Sequence, residues 1–149
     1  MNRSRPILVV EDSDEDFATV LDAAKRAGVT NEICRAASGE ACLQLLRASA
    51  ENKNTVPALI LLDLNMPRDD GREALREIKQ DERLRALPLV VLSTSANPRD
   101  LAFCYASGAN AYHVKPVNHL LHLQVLDQIF GYWLTSVVFP PEYTWQNEQ

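Results

Sequence analysis

Ala58-Leu59-Ile60-Leu61-Leu62-Asp63-Leu64-Asn65-Met66-Pro67 joins five consecutive apolar residues to a carboxylate and then to a turn. A run that is apolar on both faces reads as a central parallel strand covered by helices on each side. Asp63 therefore lies at the C-terminal end of a buried strand, the edge at which open α/β sheets place their ligands. Two other apolar runs end in matching groups. Glu11-Asp12 follow Ile7-Leu8-Val9-Val10, and Lys115-Pro116 follow Ala111-Tyr112-His113-Val114.

Outward from these runs, short Leu-rich and β-branched segments alternate with longer amphipathic ones, the pattern of βα units around a parallel sheet. Five such units are expected. The first strand covers residues 7–10, and Ser13 caps a helix to about residue 27 that Gly28 ends. Glu32-Ile33-Cys34-Arg35-Ala36 alternates as an edge strand does. Ser38-Gly39-Glu40 opens a second helix to about residue 50, and residues 51–57 form a loop. After the strand at 58–62, Met66-Pro67-Arg68-Asp69-Asp70-Gly71 is a turn-rich connection to a helix with Ala74, Leu75 and Ile78 on its apolar face. The fourth strand is 89–92, followed by Ser93-Thr94-Ser95. Asn97 or Ser95 starts a fourth helix with apolar positions Leu101, Ala102, Tyr105 and Ala106, ended by Gly108. The fifth strand is 111–114. One long final helix is predicted from 117 to about 138, before Pro140-Pro141 forbids continuation.

A chain of 149 residues with 46% hydrophobic content fits one domain with one real core. Its 15 basic and 20 acidic residues give a net charge of −5, with the basic residues scattered, which argues against nucleic-acid binding. The 3 cysteines, Cys34, Cys42 and Cys104, have no metal-ligand spacing and read as reduced thiols. Strand-like sequence begins a few residues after Met1, leaving no room for a secretion leader. No apolar run approaches the roughly 20 residues of a membrane span. A cytoplasmic protein away from the membrane is expected.

Parallel topology brings the strand ends to one edge, where Glu11, Asp12, Asp63, Ser93 and Lys115 would meet. Mg²⁺ prefers hard oxygen ligands and keeps several waters. Asp12 and Asp63 are the expected direct ligands, the Asn65 backbone carbonyl a third, and Glu11 a direct or water-mediated one. An Asp carboxylate accepts a phosphoryl group as an acyl phosphate, while Lys115 and the Ser93 hydroxyl contact its oxygens. Taken singly, a Glu-Asp pair is also a solvated loop or cap, and Lys-Pro or Asp-Leu-Asn-Met-Pro a turn. Their joint placement at the right strand ends is what points to chemistry.

At these residues, over about 7–131, the chain resembles the receiver domain of two-component response regulators. Val-Val-Glu11-Asp12, Leu-Leu-Asp63-Leu-Asn65-Met-Pro67, Val-Leu-Ser93-Thr94 and Lys115-Pro116 match in order and context. The resemblance implies a flavodoxin-like (βα)5 fold, doubly wound, with strand order 2-1-3-4-5. It implies Asp63 as phospho-acceptor, Glu11 and Asp12 as the acidic pair, Ser93 as switch hydroxyl and Lys115 as phosphoryl-sensing lysine. Tyr112 matches the switch aromatic, and Asn65 and Ser95 the positions that tune dephosphorylation. His113, His119 and His122 read as surface or packing residues.

The residues beyond the receiver are too few for an effector domain, so a stand-alone regulator is expected, with a receiver at 1–131 and an extension at 132–149. The final helix carries more apolar residues than one sheet-facing stripe needs, which fits either a helix that curls back over its own domain or association with a partner or a second copy through the surplus face. With its tail it resembles the single-domain regulators that partner phytochrome-type histidine kinases. That narrower likeness implies a bacteriophytochrome-type kinase partner and a homodimer through the extension, with Leu126, Phe130, Trp133, Val137 and Phe139 at the interface. No catalysis is expected beyond self-phosphorylation and slow hydrolysis. The competing readings are a phosphorylation-independent scaffold and a Mg²⁺-dependent phosphohydrolase with Asp63 as nucleophile. The latter lacks the acid/base Asp two residues on, where Asn65 stands.

Overall fold

The computed structural model describes residues 5–52, 56–67 and 71–140. Its elements alternate as the sequence predicts: β1 (Ile7–Val10), α1 (Asp14–Arg26), β2 (Ile33–Ala36), α2 (Gly39–Asn52), β3 (Leu59–Asp63), α3 (Gly71–Gln80), β4 (Leu89–Ser93), α4 (Pro98–Ala106), β5 (Ala111–Val114) and α5 (His119–Gly131). All strand pairs are parallel, in the order β2-β1-β3-β4-β5.

Strand alternation divides the interior in two. Leu8, Val10, Ile60, Leu62, Leu89 and Val91 pack with Leu46, Leu75, Ile78 and Cys104 on the face that carries α2, α3 and α4. Ile7, Val9, Leu59, Leu61, Val90 and Leu92 pack with Val20, Ala23, Leu126 and Phe130 on the face that carries α1 and α5. With a helix layer on each face, every residue of β1, β3 and β4 is buried. The uniformly apolar runs required this arrangement.

Local signals set the helix starts. The Ser13 side chain accepts the Asp16 N–H and three acids fill the first turn of α1, where the helix dipole favours them. The Asn97 side chain caps α4 and the Asn118 side chain caps α5. Gly28, at φ 73, opens the connection that follows α1. Arg68, Asp69 and Asp70 of the expected turn, and residues 53–55 of the expected loop, lie outside the described residues. That loop also starts later than expected, because α2 continues through Asn52.

The fourth helix turns a different face inward from the one expected. Cys104 is its buried residue and Phe103 packs beside it, whereas Ala102, Tyr105 and Ala106 are exposed and Leu101 is half-buried. The face that includes Asp100 and Cys104, one turn apart, meets Arg72 and Ser95, so polar contacts to neighbouring loops orient this short helix.

The final helix is shorter than predicted. Val117 is exposed, α5 begins only after Asn118, and after Gly131 the chain enters a π-helical turn, Tyr132–Ser136, with extended backbone from Val137. Ser136 and Thr135 hydroxyls donate to the carbonyls of Tyr132 and Gly131, local bonds that compete with a regular ladder. The chain then folds back, and the Phe139 ring lies 6.4 Å from that of Trp133.

Four of the five expected interface residues lie inside the protomer. Leu126, Phe130, Trp133 and Phe139 are buried in the protomer's own second core, and Val137 packs against it half-buried. A side chain already enclosed by its own sheet offers no surface to a partner. Among the described residues from 117 onward, the large apolar side chains left outside are Val117, Leu120, Leu121, Tyr132 and Val138. Among the described residues no helix is long and apolar enough to cross a membrane.

Candidate functional site

The C-terminal ends of β1, β3 and β5, with the first turns of α1 and α5, enclose a cleft of about 280 Å³. Glu11, Asp12, Asp16, Asp63, Asn65, Thr94, Lys115, His119 and His122 are among its lining residues. Asp63 is the last residue of β3, one position deeper in the sheet than expected, and is 3% exposed. The Asn65 N–H donates to its Oδ1 at 2.8 Å, an Asx turn that sets the plane of the carboxylate. Asn65 in turn accepts the Thr94 N–H at 2.6 Å, tying the β3 loop to the β4 loop.

Lys115 is anchored by its own backbone, whose N–H donates to the Ser93 carbonyl at 2.7 Å. Its buried ammonium meets three carboxylates: Asp16 at 2.5 Å, Glu11 at 3.0 Å and Asp63 at 3.4 Å. Burial works against its charge, but the bond to Asp16 and the charges of Asp63 and Glu11 more than offset this and hold its pKa above the usual lysine value. Burial, reinforced by the neighbouring Asp63, pushes Glu11 up from 4.5 to about 7, although Lys115 opposes the shift.

One carboxylate differs from expectation. Among the described residues, the group whose oxygens lie within 4.8 Å of one another is Glu11, Asp16 and Asp63. Asp12 lines the cleft but is exposed and stands outside that group. It occupies the turn before α1, whereas Asp16 sits in the first helical turn, within reach of Lys115. The signal for Asp16 was present. It precedes Thr19, Val20 and Ala23 at helical spacing on the buried stripe of α1. The donor set is hard, anionic and oxygen-only, so it fits a divalent metal ion.

Ser93 is 1% exposed and does not line the cleft. Its hydroxyl accepts the Ser95 N–H at 3.1 Å, and Thr94 lines the cleft instead. Ser95 donates its own hydroxyl to Asp100 at 2.5 Å, while Tyr112, half-buried, donates its phenol to the Ser95 carbonyl at 2.8 Å. The expected switch residues thus form one chain of hydrogen bonds from the end of β4 to β5. His122, expected as a packing residue, is buried and lines the cleft as well.

Two consequences are measurable. A carboxyl with a raised folded-state pKa contributes stability that is present below its unfolded value and lost as pH rises through the folded one. In chelator, the wild type should therefore lose stability relative to Glu11→Gln between pH 4.5 and about 7, by on the order of 2–3 kcal/mol in thermal melts. A β-carbon at Gly71 would lie 3.2 Å from the Asp63 carbonyl oxygen and 3.2 Å from Leu64 Cδ2. Gly71→Val should cost about 1–3 kcal/mol in denaturant melts and loosen cation binding through the displaced Asp63 backbone.

Residues 7–126 match the family model described as the response regulator receiver domain. The chain is 38% identical over 140 residues to the response regulator Rcp1 of Synechocystis sp., covering 93% of this chain and 95% of that protein. It is 38% identical over 128 residues to the probable methanogenesis regulatory protein FilR2 of Methanothrix harundinacea, covering 86% and 83%. The crystal structure of the phosphorylated cyanobacterial phytochrome response regulator RcpA superposes with a TM-score of 0.85 at 37% identity, over 93% of this chain and 99% of that one. The Mn²⁺-bound form of Rcp1 does so with a TM-score of 0.83, over 91% and 99%.

Proposed function

This chain belongs to the response regulator receiver domain family, and we propose from that premise that Asp63 is the residue its histidine kinase phosphorylates. The observation that carries the reading is the buried Asp63 carboxylate at the end of β3, oriented by the Asn65 N–H and facing the Lys115 ammonium. An Asp63 oxygen attacks the phosphorus of the kinase's phosphohistidine, the P–N bond breaks, and the imidazole leaves with the bonding pair and takes up a proton. Lys115 neutralises a phosphoryl oxygen, and the Ser93 hydroxyl, once it gives up the Ser95 N–H, donates to another. Glu11, Asp16 and Asp63, with Asp12 beside them, would hold Mg²⁺, which offsets the charge that accumulates on the phosphoryl oxygens.

Loss of the Ser95 N–H from Ser93 disturbs the loop whose carbonyl holds Tyr112, so the switch reaches the exposed side of α4 and β5. Altered partner binding there is the output. The similarity to RcpA, a cyanobacterial phytochrome response regulator, supports a bacteriophytochrome-type kinase as the donor, acting in the cytoplasm. We assign homodimerisation to Val117, Leu120, Leu121, Tyr132 and Val138, the exposed large apolar groups from residue 117 onward among the described residues, together with the remainder of the 132–149 extension. The test is intact-mass spectrometry and light scattering of wild type and Asp63→Asn with Mg²⁺ and acetyl phosphate. A wild-type-only adduct supports the acceptor. A folded, Mg²⁺-binding wild type with no adduct would overturn it.

A further inference from the structure

The shortest contact of Lys115 is to neither expected carboxylate but to Asp16, at 2.5 Å. The three N–H donors of the ammonium face three carboxylates, so a phosphoryl oxygen enters only by displacing one of them. Releasing Lys115 would deprive Asp16 of its ammonium partner beside a dianionic group, within 4.8 Å of the Asp63 and Glu11 carboxylates, with Mg²⁺ the one cation left to be shared among them. A second observation supplies its next partner. His122, in the first turn of α5 and 5% exposed, has its Nε2 without a hydrogen-bond partner among the described residues. A buried polar atom left unpaired is costly and rare. His122 lines the same cleft as Asp16, and both Asp16 and Lys115 act electrostatically upon it. Burial and the Lys115 charge lower the pKa of the imidazole, which favours the neutral form that donates one N–H.

We propose that Asp16 is the resting-state counter-ion of Lys115, displaced by the phosphoryl group, and that the freed carboxylate then accepts the His122 Nε2–H, joining α1 to α5 only in the phosphorylated protein. Asp16 is a positioning residue in this scheme. It withholds Lys115 until a better anion arrives, and His122 takes up the carboxylate when that happens. The exchange rests on Asp63 being the acceptor.

The test is calorimetric titration with beryllofluoride at saturating Mg²⁺ on wild type, Asp16→Ala, His122→Leu and the double variant, with melting curves to confirm folding and Asp16→Asn as a second variant. Asp16→Ala loses an ion pair from the resting state and only a charge-to-neutral hydrogen bond from the other, so it should bind beryllofluoride about two- to fivefold more tightly. The same variant should bind Mg²⁺ alone more weakly, a split that a merely structural role would not produce. His122→Leu should weaken beryllofluoride binding about fivefold in the wild-type background and leave it unchanged in Asp16→Ala. In ¹⁵N-histidine-labelled wild type, beryllofluoride should bring up a slowly exchanging His122 Nε2–H resonance that Asp16→Ala lacks. Weaker beryllofluoride binding by Asp16→Ala, or an equal His122→Leu effect in both backgrounds, overturns the exchange while leaving Asp63 as acceptor. A wild type that binds no beryllofluoride overturns both.

Discussion

Asp63→Asn should form no phosphoryl adduct under conditions in which the wild type is modified, and the loss should be complete rather than partial. The amide has no anionic oxygen to form the acyl–phosphate bond, and the other acids in the cleft do not substitute. Glu11 is committed to the Ser13 N–H and to Lys115, and burial holds its pKa near 7. Asp16 is paired with Lys115. Intact-mass spectrometry after incubation with Mg²⁺ and acetyl phosphate reads the result directly. An adduct of undiminished yield on the Asn variant would place the acceptor elsewhere. Because Asn can keep the hydrogen bond from the Asn65 N–H to its side-chain oxygen, the variant should remain folded, and its thermal midpoint serves as the control.

Phe130→Ala should be severely destabilising. The ring is 1% exposed and lies in the core that α1 and α5 share with the sheet. Removing a buried Phe side chain costs about 3–5 kcal/mol through lost burial and the cavity left behind. For a chain of this length that lowers the melting midpoint by roughly 10 °C or more. The variant also separates two assignments of the final helix. An interface residue would leave the protomer stable and shift only the light-scattering mass, whereas a core residue lowers the midpoint whatever the protein concentration. Leu120→Ser is the converse case, since Leu120 is 68% exposed. It should leave the midpoint nearly unchanged and reduce any dimeric mass.

Much of the fold is legible in short runs of sequence because the forces that set it are local. Residues 58–62 are apolar at every position, and only a strand covered on both faces satisfies that pattern. Ser13, Asn97 and Asn118 mark helix starts through bonds to N–H groups two or three residues away. The positions of Glu11, Asp63 and Lys115 were equally readable, since a parallel sheet gathers its strand ends whatever the loops do. The misreadings have a different origin. On α4 the apolar positions Ala102, Tyr105 and Ala106 face outward because Arg72, Asp100 and Ser95, from three separate segments, orient the helix through polar contacts.

The sequence alone determined the parallel βα order and the convergence of Glu11, Asp63 and Lys115 on one edge, because strand burial and helix capping are settled within a few residues of chain. Only the tertiary structure decided that Asp16 rather than Asp12 joins the carboxylate group, that Ser93 is engaged by the Ser95 N–H, and that Phe130, Trp133 and Phe139 close the protomer's own core. The first and the last depend on which of several chemically equivalent groups lies nearest a side chain far away in the chain, and the Ser93–Ser95 bond, though only two residues long, depends on the backbone path of the loop after β4. Spacing along the sequence carries no information about that distance or that path.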